Sequence, residues 1–158
     1  MELSELKQEY DKLRKEHDLA SFDDMNNVFD IGKIERDSGN LLRDVRKLCS
    51  EKVSHYLRLL ELMLNPGQAS PMFLVLLKEI TAQDKKVMDI IFNSFIELEI
   101  TSYKLDITYS AEQESIFIKK VYSIWKERSP EIVHLIGILE RNWKSVNKQQ
   151  LKSRDYFN

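Results

Sequence analysis

The amino-acid sequence predicts an all-α protein, a bundle of five or six helices in which long antiparallel helices are joined by short turns. Glycine and proline are scarce, with four and three residues among 158, so long stretches contain no helix-interrupting residue. Apolar residues recur in steps of three and four, which is the spacing of one helical face. Helix-capping signals stand where several of these apolar runs begin.

The first two long helices are predicted at residues 2–17 and 36–65, with a short turn at 22–29 between them. The second helix carries one charged residue, Lys52, within its apolar seam. Buried lysines are rare unless paired, so we expect Lys52 to reach the bundle edge or to meet Glu97 or Glu99. The predicted seam consists of Leu42, Val45, Cys49, Lys52, Tyr56, Leu59 and Met63.

The stretch LNPGQASPMFLVLL, residues 64–77, is predicted to form the corner between two helices. Pro66 cannot continue the preceding helix, and Gly67 permits a sharp turn. Ser70 and Pro71 form a helix start, so a helix is expected at 71–80. Because this short helix is apolar all round, we expect it to be buried at the end of the bundle. A membrane-dipping or partner-binding loop is the alternative.

The next helix is predicted at residues 82–109, where Thr81 and Asp84 resemble a capping box. Its seam predicts a buried core around Phe95 and Leu98. The segment YKLDITYS alternates apolar and polar residues with period two, so a short strand within 103–109 stays open as an alternative. The full predicted seam is Met88, Ile91, Phe95, Leu98, Ser102, Leu105 and Tyr109.

Two further helices are predicted at residues 111–128 and 130–147. Ser110 with Gln113 fits a capping box, and Ser129 with Pro130 repeats the Ser-Pro start. We therefore expect one helical domain over residues 1–147 and a basic, aromatic and flexible tail at 148–158. The seam of the last helix is predicted to be Ile132, Ile136, Leu139, Trp143 and Val146.

Composition limits the classes of protein to which this chain can belong. The net charge of −2 argues against a general nucleic-acid binder. The single Cys49 cannot form an internal disulfide and fits a reducing compartment. The longest apolar run, residues 72–77, is far shorter than the roughly 20 residues that span a bilayer. The first residues are acidic and amphipathic, so we expect no secretory leader, no membrane association and a cytoplasmic location.

Motifs with catalytic or metal-binding spacing are few, and each has a simpler interpretation. Glu131 and His134 have the Glu-x-x-His spacing of a di-iron site, but such a site needs a second motif and two more glutamates. Glu51 and His55 are interpreted as a surface pair. His17 and Asp18 form the doublet of metal-dependent phosphohydrolases, but those enzymes use a further His upstream and none precedes residue 17, so His17 is interpreted as a residue favoured at a helix C-terminus. Phosphate-binding glycine loops and serine-nucleophile motifs are absent. We predict no catalytic residue, cofactor or metal, while an enzyme or metal protein with an unrecognised site remains an alternative.

Charge is distributed unevenly along the chain. Residues 1–30 carry a local charge of −5, whereas residues 31–58 and 140–158 each carry +3. Basic residues near the C-terminus alternate with aromatic ones, as in single-strand nucleic-acid contacts. The alternative is that they pair with the acidic N-terminal helix, within one chain or across a dimer. The candidate contact residues are Arg141, Lys144, Lys148, Lys152 and Arg154, beside Trp143, Tyr156 and Phe157.

A homodimer is predicted because Ile90, Phe92 and Ile96 make the 82–109 helix apolar beyond its seam.

The segments LASFDDMNNVFDI and LNPGQASPMF, with the long basic amphipathic helix between them, resemble an uncharacterised all-helical family of archaea. That resemblance implies an all-α fold and no particular activity. The chain is therefore predicted to be a non-enzymatic interaction or scaffold protein with an unknown protein partner. A nucleic-acid-associated factor using the basic second helix and the tail is the alternative.

Overall fold

A computed structural model describes residues 2–35 and 39–155, without the side chains of residues 154 and 155. Over these residues the chain forms six α-helices and two 3-10 turns, Ile31–Lys33 and Pro66–Gln68, and no strand. The all-α prediction is confirmed. No helix in this part of the chain is both long and apolar enough to cross a membrane. The helices are α1 (Leu3–His17), α2 (Phe22–Phe29), α3 (Leu41–Leu64), α4 (Pro71–Leu76), α5 (Ala82–Ile107) and α6 (Ala111–Asp155).

The predicted helix starts at α4, α5 and α6 are confirmed by their hydrogen bonds. The backbone N–H of Phe73 donates to the Ser70 hydroxyl at 3.3 Å, and that of Gln113 donates to Ser110 at 3.3 Å. At α5 the exchange is reciprocal, as in a capping box. The Asp84 N–H donates to the Thr81 hydroxyl at 3.0 Å, and the Thr81 N–H donates to the Asp84 carboxylate at 3.0 Å.

The chain contains two compact units. Unit 1 comprises Met1–Leu57 and Ser94–Lys126, and unit 2 comprises Arg58–Asn93 and Glu127–Asn158. Unit 1 thus holds α1, α2 and parts of α3, α5 and α6, and unit 2 holds α4 and the remaining parts of the three long helices.

In unit 1, the α3 and α5 portions run antiparallel, because Arg46 contacts Asp106 while Ser54, two turns later, contacts Glu99. The buried apolar side chains of α1 and α2 complete the core of this unit. Its most deeply buried apolar residues include Tyr10, Met25, Ile31, Val45, Cys49, Val53, Phe95, Leu98, Phe117, Ile118 and Val121.

The predicted seam of α5 is confirmed from Met88 to Leu105, whose members are all at most 5% exposed. Residues 103–107 are helical, so the strand alternative is wrong. The helix ends at Ile107, which leaves Tyr109 outside it and 44% exposed.

The predicted break before the last helix is wrong. Helix α6 continues through Pro130 to Asp155, so residues 148–155 are helical. Pro130 lacks an N–H and removes one backbone hydrogen bond, but its fixed φ is compatible with a helix. The apolar register from Val121 to Ile132 runs through the proline, and burial of that register outweighs the lost bond. Residues 156–158, including Tyr156 and Phe157, lie outside the described residues.

The seam of α6 in unit 2 also differs from the prediction. Its buried residues are Ile132, Leu135, Ile138 and Asn142, whereas Ile136 is 38% and Trp143 is 45% exposed. Asn142 was not among the predicted seam residues.

Helix α4 is a helical corner as predicted, but the prediction that it is buried is wrong. None of its residues is buried, and Met72 and Leu74 are each 44% exposed. A helix of six residues turns only one side toward its unit, so its other side remains in solvent. Its end is held by the amide of Asn142, which donates to the Leu76 carbonyl at 2.7 Å.

Candidate functional site

Outward-facing side chains of α5 form an apolar seam within unit 1. Ile96, Ile100, Tyr103 and Ile107 follow one another at intervals of four, three and four residues, which keeps them on one helical face. Ile96 is half-buried, while Ile100, Tyr103 and Ile107 are 50%, 59% and 85% exposed. We call these four residues the α5 outer seam.

The outer seam is separate from the buried seam of the same helix. Phe95, Leu98, Ser102 and Leu105 point into unit 1 and are at most 5% exposed. A surface helix needs one apolar face to pack against its own core. The outer seam therefore carries apolar surface that the packing of unit 1 leaves half exposed at Ile100 and largely exposed at Ile107.

Charged residues flank the outer seam on both sides. Glu97 and Lys104 lie on one flank, and Glu99 and Asp106 lie on the other. Glu97 meets Lys120 of α6 at 3.5 Å, a contact between two largely exposed side chains. On the opposite flank, Glu99 accepts a hydrogen bond from the Ser54 hydroxyl at 2.9 Å. The two flanks thus differ. The flank with Glu99 and Asp106 is acidic and is contacted by residues of α3, whereas the flank with Glu97 and Lys104 carries one negative and one positive charge.

Behind the outer seam lies a polar cluster centred on the buried Arg46 of α3, and one of its members, Asp106, is 51% exposed. Its Nε donates to Glu114 of α6 at 2.8 Å, and its two terminal nitrogens donate to Ser102 at 3.1 Å and to Asp106 at 2.6 Å, both on α5. The Arg46 side chain is 1% exposed and that of Glu114 is fully buried. We call Arg46, Ser102, Asp106 and Glu114 the Arg46 cluster.

Electrostatics in this cluster are dominated by the cost of burial. Burial raises the pKa of the Glu114 carboxyl, and the hydrogen bond and charge of Arg46 oppose that rise. One Glu114 oxygen, Oε2, accepts from Arg46, while Oε1 is buried without a hydrogen-bond partner. Since a buried charge is stable only when paired, the ion pair with Glu114 holds α3 against α6 within unit 1, and the bonds from Arg46 to Ser102 and Asp106 add α5 to this arrangement.

The Arg46 cluster was not predicted from the sequence, although one signal for it is present. Glu114 shares a helical face with the buried residues Ile118 and Val121, and Ser102 occupies a position of the α5 seam. Lys52 was predicted as a charged residue within an apolar register, and Glu114 was not. Arg46 is adjacent to the seam residue Val45, where a charged side chain is ordinarily assigned to the surface.

Lys52 lies beside aromatic rings. Its ammonium is 5.1 Å from the ring centre of Trp125 and 5.8 Å from that of Tyr56, within cation–π distance. The side chain is half-buried, which agrees with the expectation that it reaches the bundle edge. The two acids named as alternative partners, Glu97 and Glu99, form contacts with Lys120 and Ser54.

The predicted basic contact residues lie on the single helix α6 in unit 2. Arg141, Lys144, Lys148 and Lys152 are exposed, and their spacing of three, four and four residues places them on one helical face. Lys144 also meets Glu140 at 2.7 Å, which partly neutralises it. The side chain of Arg154 lies outside the described residues.

The residues with metal-ligand spacing have other contacts. Glu131 pairs with Arg128 at 3.3 Å, and His134 meets the capping residue Asp84 at 3.2 Å. His17 lies in the last turn of α1, as predicted. Among the described residues, no group of three or more His, Cys, Asp or Glu side chains could hold a metal ion. Cys49 is a free, buried thiol whose pKa is raised by burial.

Comparison with protein-family models, with curated proteins and with solved structures gives no match for this chain. Its functional interpretation therefore depends on the surfaces and contacts described above.

Proposed function

We propose that this chain is a non-enzymatic interaction protein of the cytoplasm, and that the α5 outer seam is its docking surface. The supporting observation is the exposure of Ile100, Tyr103 and Ile107 on one helical face. Burying an isoleucine side chain completely contributes about 1.5–3 kcal/mol, so covering this seam would favour association. An apolar helical face with charged flanks suits a helical partner.

The Arg46 cluster supports the same proposal by holding α5 in place from behind. Ser102 and Asp106 lie on α5 beside the outer seam, and both accept hydrogen bonds from the buried Arg46. A surface that is already ordered loses less conformational entropy when a partner binds. The seam is therefore presented by a pre-organised helix.

The test is site-specific photo-crosslinking in cells that express the chain. Tyr103 is replaced by a photoreactive phenylalanine, and the exposed Lys119 of α6 serves as the control position. We expect discrete adducts from position 103 that disappear when Ile100→Lys is added, because the lysine places a charge in the seam. Identical adducts from both positions, or adducts that survive Ile100→Lys, would refute a docking role for the seam.

A second candidate function, nucleic-acid association, is favoured by the basic face of α6. That face carries four basic residues, Arg141, Lys144, Lys148 and Lys152. Each phosphate contact releases a counterion, so binding of a labelled oligonucleotide should weaken steeply with salt. We expect Lys148→Glu with Lys152→Glu to abolish a shift in fluorescence anisotropy, and Lys119→Glu with Lys120→Glu to leave it unchanged. Equal loss in both double variants would refute this basic face as the contact.

A further inference from the structure

We propose that the occupant of the α5 outer seam is a second copy of this chain, with the two α5 helices antiparallel about a twofold axis. This inference rests on the proposed docking role of the seam and names its partner. It is carried by the spacing of the seam, by the charges on its flanks and by the contacts that engage the acidic flank.

The seam is complementary to itself under such a twofold axis. With the axis between Ile100 and Tyr103, Ile100 faces Tyr103 of the second copy, and Ile96 faces Ile107 of the second copy. Intervals of four, three and four residues read the same in both directions, so each apolar side chain meets another. A C2 interface requires this kind of self-complementary patch.

The flank that carries Glu97 and Lys104 favours the antiparallel direction. In that arrangement Glu97 of each copy lies beside Lys104 of the other, which gives two pairs of opposite charge. In a parallel pair, Glu97 would instead face Phe92 of the other copy. Lys104 would then face Glu99, whose carboxylate is already held by Ser54. The antiparallel arrangement therefore places both exposed charges, Glu97 and Lys104, opposite a residue of the other sign.

The other flank would bring Glu99 and Asp106 of the two copies together. Like charges oppose association, but both carboxylates are engaged within their own chain. Ser54 donates to Glu99, and Arg46 donates to Asp106 at 2.6 Å. The guanidinium of Arg46 thus offsets the charge of Asp106 at the interface.

The size of the seam sets the concentration at which the dimer should form. Its twelve positions from Ile96 to Ile107 span roughly 16 Å of helix at about 1.5 Å per residue. One such helix pair lies at the lower end of specific interfaces, below roughly 1,200 Å² of total buried area. We therefore expect a dissociation constant in the micromolar range or weaker, on the order of 10–100 μM.

The first experiment measures mass by sedimentation equilibrium over a concentration series of the full chain. The wild-type mass should rise from that of one chain toward that of two, and Ile100→Lys should weaken association at least tenfold. Thr101→Lys is the matched control, since it introduces the same residue at an exposed neighbouring position outside the seam. Circular dichroism verifies that each variant is folded. Equal weakening by both variants would overturn the proposal.

The second experiment tests the antiparallel direction with Glu97→Lys and Lys104→Glu. Each variant alone places like charges together in its homodimer, so each should dimerise about threefold to tenfold more weakly. Mixed in equal amounts, the two variants pair opposite charges at both positions. With one of the two variants labelled with ¹⁵N to separate the masses, native mass spectrometry should therefore show more mixed dimer than the statistical half. Lys120→Ala controls for the contact of Glu97 within its own chain and should leave dimerisation unchanged.

Two results would overturn the inference in different ways. A statistical mixture of the two charge variants would rule out the antiparallel direction. A wild-type chain that stays monomeric at its highest soluble concentration would rule out a second copy as the occupant. In that case, adducts from position 103 that depend on Ile100 and have the mass of another protein would leave the docking function standing.

Discussion

In unit 1 the central buried polar side chain is an arginine, whereas in unit 2 it is an asparagine. Arg46 makes hydrogen bonds to three side chains on two other helices, all of which come from residues at least 56 positions along the chain. Asn142 donates one hydrogen bond, at 2.7 Å, to the backbone carbonyl of Leu76. A buried ion pair is stable only when several hydrogen-bond partners stand in defined positions around it. A buried neutral amide needs fewer hydrogen-bond partners.

This difference indicates how firmly each unit specifies its arrangement. The Arg46 cluster links three helices of unit 1. Displacement of α3 or α6 leaves a buried charge without its partner, and displacement of α5 removes two hydrogen-bond acceptors from Arg46. In unit 2 the amide of Asn142 holds the end of α4, and no residue of that helix is buried. We therefore expect perturbations of unit 1 to unfold it cooperatively and perturbations at α4 to act locally.

The largest expected effect comes from Arg46→Met. The substitution keeps much of the apolar volume but leaves Glu114 buried without a counter-charge, so the free energy of unfolding should fall by about 3–5 kcal/mol. Urea denaturation followed by circular dichroism measures the change. The double variant Arg46→Met with Glu114→Leu should recover much of the loss, because no charge then remains buried between these positions. A loss below about 1 kcal/mol in the single variant would contradict the assigned role of the cluster.

A comparison of the two faces of α5 gives the next largest effect. Phe95→Ala and Leu98→Ala remove fully packed side chains and should each lower the free energy of unfolding by about 2–5 kcal/mol. Ile100→Ala lies on the outer seam of the same helix and should change it by less than about 0.5 kcal/mol in the monomer. Denaturation at a protein concentration too low for association measures all three. Similar losses for Leu98 and Ile100 would show that the outer seam is packed.

The core of α5 could be predicted because its information is local. The spacing of Met88, Phe95 and Leu98 determines which side of the helix is apolar, whatever the neighbouring helices are. Capping at Ser70 and Thr81 was predictable for the same reason, since donor and acceptor lie three residues apart. The helices α1, α3, α4 and α5 and the start of α6 followed from such short-range patterns.

Features that depend on distant residues could not be predicted in this way. The charge of Arg46 is buried against Glu114, which lies 68 positions further along the chain. No local sequence pattern shows that these two residues meet. Helix α6 passes through Pro130 because burial on both sides of the proline outweighs one lost hydrogen bond. The exposure of Ile100 could not be predicted either. Periodicity shows that a helical face is apolar, but it does not show whether another helix covers that face.

A moderate and local effect is expected from Asn142→Ala in unit 2. Removal of the amide leaves the Leu76 carbonyl without this donor, and a lost buried hydrogen bond costs about 1–3 kcal/mol. Because α4 has no buried residue, the cost should appear chiefly as faster amide hydrogen exchange in residues 71–77. Lys144→Ala, two positions away on the exposed side of α6, is the control. Unchanged exchange in these residues would show that α4 is held by other contacts.

The smallest effect concerns two carboxyl groups whose pKa values shift in opposite directions. Hydrogen bonds from the backbone and hydroxyl of Thr81 lower the pKa of Asp84 in unit 2 from its ordinary value of 3.8. Burial raises the pKa of Glu114 in unit 1 from its ordinary value of 4.5, against the opposing effect of Arg46. A lowered pKa means that folding favours the charged form, and a raised pKa means that folding favours the protonated form.

The two groups should therefore change stability with opposite signs as the pH falls. The contribution of Asp84 is present above about pH 4 and is lost as the pH falls through its lowered folded value. The penalty on Glu114 is present above its raised folded value and is relieved as the pH falls toward 4.5. Thermal denaturation from pH 7 to pH 3 of the wild type, Asp84→Asn and Glu114→Gln isolates each contribution by difference. On acidification, the advantage of the wild type over Asp84→Asn should shrink, while its stability relative to Glu114→Gln should rise. If the stability difference between wild type and variant changed with pH in the same direction in both comparisons, the opposite environments of these two carboxyl groups would be contradicted.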